Sequence, residues 1–422
     1  MSSGETIPQI PHMGLSVDRS FHGYALLLGP ELPTPRSCVP SGREDIRTQG
    51  LFELLVSWPS ALYTCRAGFH PSADLRLDTW NLAREVFGDE LRKPRLRPPS
   101  NEPLNDRATD GGSRHEWPEG KRFAFSIVDD TDASTVENTK PVYDLLESCG
   151  IRITKTVWPL GFTRKPHFGG GTLEDPDYCA WVLDLQAAGF EIALHGATDH
   201  PSTREETRRA LDYFREVLGH DPRLHANHFG QTEGMYWGEA RLNGLPRLVY
   251  RTANAVLRRG TRYFGHVEGS PYFWGDLCRE RIEYVRNFTF PGVNTLKADP
   301  LMPYHDPRRP YVQFWFSSSQ APGVESFCAL LRDEEQDRLV EEGGACIAYT
   351  HFGFGFAEDG RLNPRFARVV ERLAGLPGWF VPASTLLDQL RGQPNWQPEP
   401  GIGRLRALER RWLGSKLLRG RG

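Results

Sequence analysis

Two adjacent carboxylates, Asp129 and Asp130, end a short β-type run at Phe123–Thr131 (FAFSIVDDT). Histidines stand at the ends of later runs of the same kind: His195 and His200, then His225 with Asn227 and His228, then His351. Two histidines and one carboxylate are a complete ligand set for a catalytic divalent ion, with one position left for water. Water on such an ion reaches a pKa of about 7, which makes it a nucleophile at neutral pH, and a second carboxylate close by can take its proton. Strand alternation sends Asp129 and Asp130 to opposite sides, so one can bind the ion while the other stays free. Taken alone, the pair reads more plainly as a solvated turn with Asp130 as a cap, and a single strand-end histidine as a turn hydrogen bond. Four such positions in succession argue for a shared site.

The elements that must position these groups alternate from Lys121 onward. Thr139 reads as an N-cap with Pro141 in the first turn, and Val142, Leu145 and Leu146 form an apolar stripe that Gly150 ends. Ile151–Trp158 alternates like a second strand. Asp175 and Pro176 open a helix carrying Tyr178, Trp181, Val182 and Leu185, and a strand at Phe190–Leu194 leads into HGATDH. Ser202 and Glu205 form a capping box ahead of Ala210, Leu211, Phe214, Val217 and Leu218, with Gly219 as the stop. The middle is less regular, with a helix at Arg247–Leu257 and a strand at Arg281–Phe290. Strands follow at Tyr311–Phe316 and at Ala345–Thr350, the latter ending at His351. A helix then starts at Asn363 and Pro364, and Trp379–Val381 with a helix from Ser384 closes the domain near Arg391. Strand–helix alternation predicts parallel strands with helical crossovers, as a closed barrel or an open sheet, whose C-terminal strand ends share one face.

The 422 residues carry 51 basic and 54 acidic side chains, a net charge of -3, which gives no electrostatic case for nucleic acid. Gly 42 and Pro 33 suit a fold with many strand-to-helix loops. The 7 cysteines, without a CxxC pair, read as reduced thiols. No signal-like segment opens the chain and no stretch approaches the roughly 20 apolar residues of a membrane span, so a cytoplasmic location is expected. Residues 1–117 read as an irregular or weakly ordered extension, broken by prolines and arginines apart from Leu51–Trp58 and a short helix at Thr79–Phe87. Residues 118–395 form the β/α domain and 396–422 a basic helical tail. In that tail Leu405, Leu408, Trp412 and Leu413 share a face among arginines, which reads as a frayed terminus or as a peripheral contact with anionic lipid or a partner.

The motifs, in their order, resemble the polysaccharide deacetylase family, the NodB-like carbohydrate esterases of family-four type. IVDDTD at Ile127–Asp132 is similar to the family's TFDD strand end, and TKPVYDLLESCGIRITKTV at Thr139–Val157 to its next helix and strand. GFEIALHGATDHPSTREE at Gly189–Glu206 looks like its GHEIxxHTxxH segment, IAYTH at Ile347–His351 like its late histidine strand, and GWFVPASTLLDQL like its closing strand and helix. The likeness spans roughly Lys121–Arg391. It implies an α/β fold of the incomplete (β/α)7-barrel type. It also implies one divalent metal, zinc first, and a hydrolase that removes an N-acyl group, acetyl above all, from an acylated sugar, oligosaccharide or polysaccharide precursor. Residue by residue, it implies Asp129 as base, Asp130, His195 and His200 as metal ligands, and His351 as general acid.

Three departures stand out. His195 and His200 are five apart where the family has four, so either the loop holds an extra residue or Asp199 replaces His200. ANHFG at Ala226–Gly230 replaces the family's RxPxG and lacks its base-orienting arginine, leaving His225, Asn227 or His228, with Trp158, as the substrate-binding or base-orienting groups. The DDTD run also leaves open Asp130 and Asp132 as the working pair. Trp158, Phe229, Tyr236, Trp237, Phe273 and Trp274 lie near the expected mouth and could stack on sugar rings. Two competing readings remain: a degenerate deacetylase that binds carbohydrate in polysaccharide assembly without turnover, and a two-histidine, one-carboxylate iron oxygenase, which the alternating helices disfavour.

Overall fold

Seven parallel strands pair in chain order: β1 Phe123–Asp129, β2 Thr154–Val157, β3 Glu191–Leu194, β4 Leu224–His225, β5 Tyr284–Phe290, β6 Phe314–Gln320 and β7 Ala345–Thr350. β7 returns to β1 in register from Ala124↔Ala345 to Asp129↔Thr350, which closes the barrel. A short antiparallel hairpin, β8 Ala357–Glu358 and β9 Arg361–Leu362, follows. β10 Gly378–Phe380 then pairs with the first half of β1, Phe123–Phe125, while β2 holds only its end, Val128 and Asp129. The result is the expected β/α barrel with an eighth strand laid into the seam between β1 and β2. This computed structural model describes residues 117–256 and 262–418, so the N-terminal extension, with the runs at Leu51–Trp58 and Thr79–Phe87, lies outside the described residues. Contacts divide the chain into two units: Pro103–Arg247 with Gly260–Trp412 contains the barrel, and the described parts of the other are residues 248–256 and 413–418, each the end of a helix.

Two helices start at different caps from those read in the sequence. The first spans Val136–Ser148, where Thr135 caps the Asn138 amide and Asn138 answers to the Thr135 amide. Thr139 is inside this helix with its hydroxyl on the Thr135 carbonyl, so Pro141 falls in the second turn. The helix Arg204–Leu218 starts at Thr203 with Glu206 as its reciprocal partner, one residue later than the Ser202–Glu205 frame. Ser202 is unavailable as a cap because its hydroxyl donates to the His200 carbonyl. Gly219, at φ 80°, ends that helix in the left-handed conformation glycine adopts without strain.

Alternation along the strands divides the core in two. Phe123, Phe125 and Ile127 pack outward on Val142, Leu146 and Phe366 of the surrounding helices. Ala124 and Val128 point inward with Ala193, Leu224, Ala226, Phe316 and Ile347. Because registers match around the barrel (Asp129↔Lys155, Val157↔Leu194, Leu194↔His225, His225↔Val285), each strand's inward set is fixed by its neighbour's. Asp129 therefore belongs to the outer face and Asp130 to the inner one.

The tail is a helix over Ile402–Leu418 rather than a frayed end. Up to Trp412 it is fixed to the barrel unit: Glu409 accepts from Asn243 and Arg308, and Trp412 stacks on Phe288 at 5.0 Å. No helix among the described residues is long and apolar enough to cross a membrane.

Candidate active site

The inward parity that fills the barrel with Ala124, Ala193, Ala226 and Ile347 delivers polar groups at the C-terminal strand ends: Asp130 after β1, Trp158 after β2, His195 after β3, His228 past β4, and Tyr349 and His351 at the end of β7, with Arg286 inward from within β5. Asp132, from the loop after β1, joins them. Asp132, His195 and His228, all buried, offer ligand atoms within 4.8 Å of one another. His228 Nε2 stands 3.1 Å from Asp132 Oδ1, and His195 Nε2 stands 3.5 Å from the same oxygen. None of these three atoms completes a hydrogen bond, nor does Nδ1 of either histidine. Unsatisfied buried polar atoms are rare. Three from different strand ends converging at contact spacing are what a divalent ion would satisfy, so this donor set fits a metal.

Beside it lies a charge pair. Arg286 grips Asp130 with both terminal nitrogens, Nη1 to Oδ1 at 2.8 Å and Nη2 to Oδ2, and the guanidinium lies 4.4 Å from the centre of the Tyr349 ring. Asp130 Oδ2 is 3.8 Å from His195 Nε2, so this carboxylate faces the cluster from the side. Opposite stands His351. Its Nδ1 donates to the Pro322 carbonyl at 2.7 Å, which directs Nε2 at the site, 3.0 Å from Asp132 Oδ2 and 3.3 Å from the Tyr349 hydroxyl. Burial works against the Asp132 charge, yet His228, with His195 and His351, holds its carboxyl well below the usual range. In return, against the effect of their own burial, Asp132 raises the imidazoles of His228 and His351.

Other residues singled out in the sequence lie elsewhere. Asp129, the expected base, is on the helix side, where Oδ2 accepts from Tyr143 at 2.8 Å and Lys155 at 3.2 Å, and Oδ1 accepts from the Phe352 amide. The reason is parity: it is one residue short of the inward position. His200, an expected ligand, is outside the cluster. Its Nε2 meets the Thr163 hydroxyl at 3.1 Å, because the five-residue spacing carries it past the mouth. Asp199 is closer, with Oδ1 3.7 Å from His228 Nε2 and Oδ2 accepting the Phe168 and Gly169 amides. His225 faces outward onto Trp274, with burial pushing its pKa down to about 3, and Asn227 accepts from the Met235 amide. Trp158 is buried against His195 and His228, and Trp274 is buried too, so neither presents a face to a sugar. Phe229 remains exposed beside His228.

Two residues carry more of the geometry than the sequence reading gave them. Asp132 was only the open half of the DDTD register. Arg286 was missed, although an arginine in the inward phase of the apolar strand YVRNFTF was the available signal.

The fold and site together define a parallel β/α barrel with a carboxylate–histidine cluster at the C-terminal mouth. No protein-family model matches the chain, and no curated protein matches it. Among solved structures, the chain is similar to the Puue allantoinase at 14% identity and TM-score 0.40, covering 67% of this chain and 94% of that one. It is also similar to a probable polysaccharide deacetylase from Pseudomonas aeruginosa PAO1 at 14% identity and TM-score 0.41, covering 67% and 95%. A third is a family 4 acetyl xylan esterase from Clostridium thermocellum in complex with a cobalt ion, at 11% identity and TM-score 0.33, covering 66% and 95%.

Proposed function

We propose that this protein is a metal-dependent hydrolase that removes an N-acyl group, acetyl above all, from a sugar or polysaccharide precursor. The observation that carries the reading is the buried Arg286–Asp130 pair set beside the Asp132, His195 and His228 cluster, with His351 across from it. Asp132, His195 and His228 would hold one divalent ion, and a two-nitrogen, one-oxygen set suits zinc. Such an ion supplies Lewis-acid chemistry, acidifying water and polarising a carbonyl. Asp130 takes the proton of the attacking water, with Arg286 orienting its carboxylate. His351, its ring fixed by the Pro322 carbonyl, gives a proton through Nε2 to the departing amine. Phe354 and Phe168 flank the histidines, with ring centres 5.2 Å from His351 and 5.8 Å from His228 respectively. Phe168 and Phe229, 39% and 51% exposed, offer faces for a pyranose ring at the rim.

The competing reading, a binding protein without turnover, rested on the missing base-orienting arginine. Arg286 supplies a guanidinium to the inward aspartate from a different strand, which favours the enzyme. The test is elemental analysis of wild type, Asp132→Ala and Asp130→Asn, followed by assay of amine release from acetylated amino sugars. About one equivalent of zinc, lost in Asp132→Ala and kept in an inactive Asp130→Asn, supports the reading. Wild type without metal after incubation with zinc overturns it.

A further inference from the structure

One buried carboxylate has no part in the chemistry above. Glu233 is 4% exposed, and neither of its side-chain oxygens completes a hydrogen bond. Its own amide, the amide and hydroxyl of Ser202, and the His228 ring are the polar groups that face it. Its backbone is tied down separately, with the Trp274 indole donating to the Glu233 carbonyl at 2.8 Å. Glu233 and His228 line the same small cavity, of about 10 Å³, with Leu194, His225, Asn227, Gln231 and Trp274. That is the volume of about one water. His228 turns Nε2 toward Asp132, so Nδ1 lies on the far side of the ring, and Nδ1 also completes no hydrogen bond within the protein. A histidine that ligates a metal through one nitrogen nearly always donates its other N–H to a carboxylate, a carbonyl or a water, which fixes the tautomer and strengthens the ligand.

We propose that Glu233 is the outer partner of His228, its carboxylate taking the Nδ1 proton's hydrogen bond through a single water held in the cavity between them. Glu233 is thus a positioning residue for the metal centre. It keeps Nε2 unprotonated and aimed at the ion. The inference rests on the metal reading of the cluster and assigns a residue to which neither the sequence motifs nor the ligand spacing point.

The experiment is competitive titration of the full-length protein with zinc against a chromophoric chelator, for wild type, Glu233→Gln and Glu233→Leu. Melting of each metal-free protein is measured in parallel. The expected result is zinc affinity weakened roughly 10- to 100-fold in Glu233→Leu, with Glu233→Gln intermediate because its amide oxygen still accepts a hydrogen bond. Metal-free melting should be unchanged or higher, since an unpaired buried carboxyl is removed. Zinc affinity within about twofold of wild type in both variants overturns the inference, as does a loss of affinity that follows a fall in metal-free melting. Wild type that binds no zinc overturns the metal reading itself, so the two failures are distinguishable.

Discussion

Asp129 and Asp130 are neighbours in the chain and occupy opposite kinds of environment. Asp129, on the outer face of β1, is saturated: Tyr143, Lys155 and the Phe352 amide satisfy it, and the Lys155 ammonium sits within 5.8 Å of the rings of Tyr143, Tyr178 and Trp181. Across the strand, Asp130 has its arginine, but Asp132, His195 and His228 keep ligand atoms that nothing in the protein satisfies. A complete buried network holds a fold, whereas an incomplete one of convergent donors waits for something else. The distinction separates the outer face of β1, where Asp129 lies, from the mouth beside Asp130.

Substitutions can break this comparison. The largest effect is expected at the cluster: Asp132→Ala or His228→Ala should remove bound zinc and lower turnover on the order of a thousandfold or more, read by elemental analysis and amine release. Asp130→Asn should keep the metal and lower kcat by roughly 100- to 10,000-fold, the range of a lost general base. Asp129→Ala should act on stability instead, because it strands the fully buried Lys155 charge. A loss of about 3 to 5 kcal/mol is expected in denaturant unfolding, with normal zinc stoichiometry in the protein that remains folded. An Asp129→Ala variant of wild-type stability that has lost turnover would return the base to the outer face and undo the comparison. His200→Ala should do least, forfeiting its contact with Thr163 at about 1 kcal/mol with zinc content unchanged. Loss of zinc in that variant would restore His200 as a ligand.

Much of the barrel was legible because its signals are local. Gly219 as a helix stop, the helix starts at Asp175–Pro176 and Asn363–Pro364, and the apolar runs of β1 and β7 all follow from residues a few positions apart. The capping frames at Thr135 and Thr203 were less so, since neighbouring serine and threonine hydroxyls compete and the winner depends on which is already bonded.

The sequence by itself determined that carboxylates and histidines would gather on one face of a parallel β/α fold, because strand–helix alternation puts every strand's C-terminus on one face. It also determined that Asp129 and Asp130 would part company, because a strand has a period of two. Which of them turned inward was decided only by the tertiary structure, through the register of β1 against β2 and β7, which sets the phase for the whole ring. The convergence of His228 with His195 and Asp132, and the arrival of Arg286 from 156 residues away to grip Asp130, were decided there too. Both depend on distances across a closed barrel, which sequence spacing does not encode.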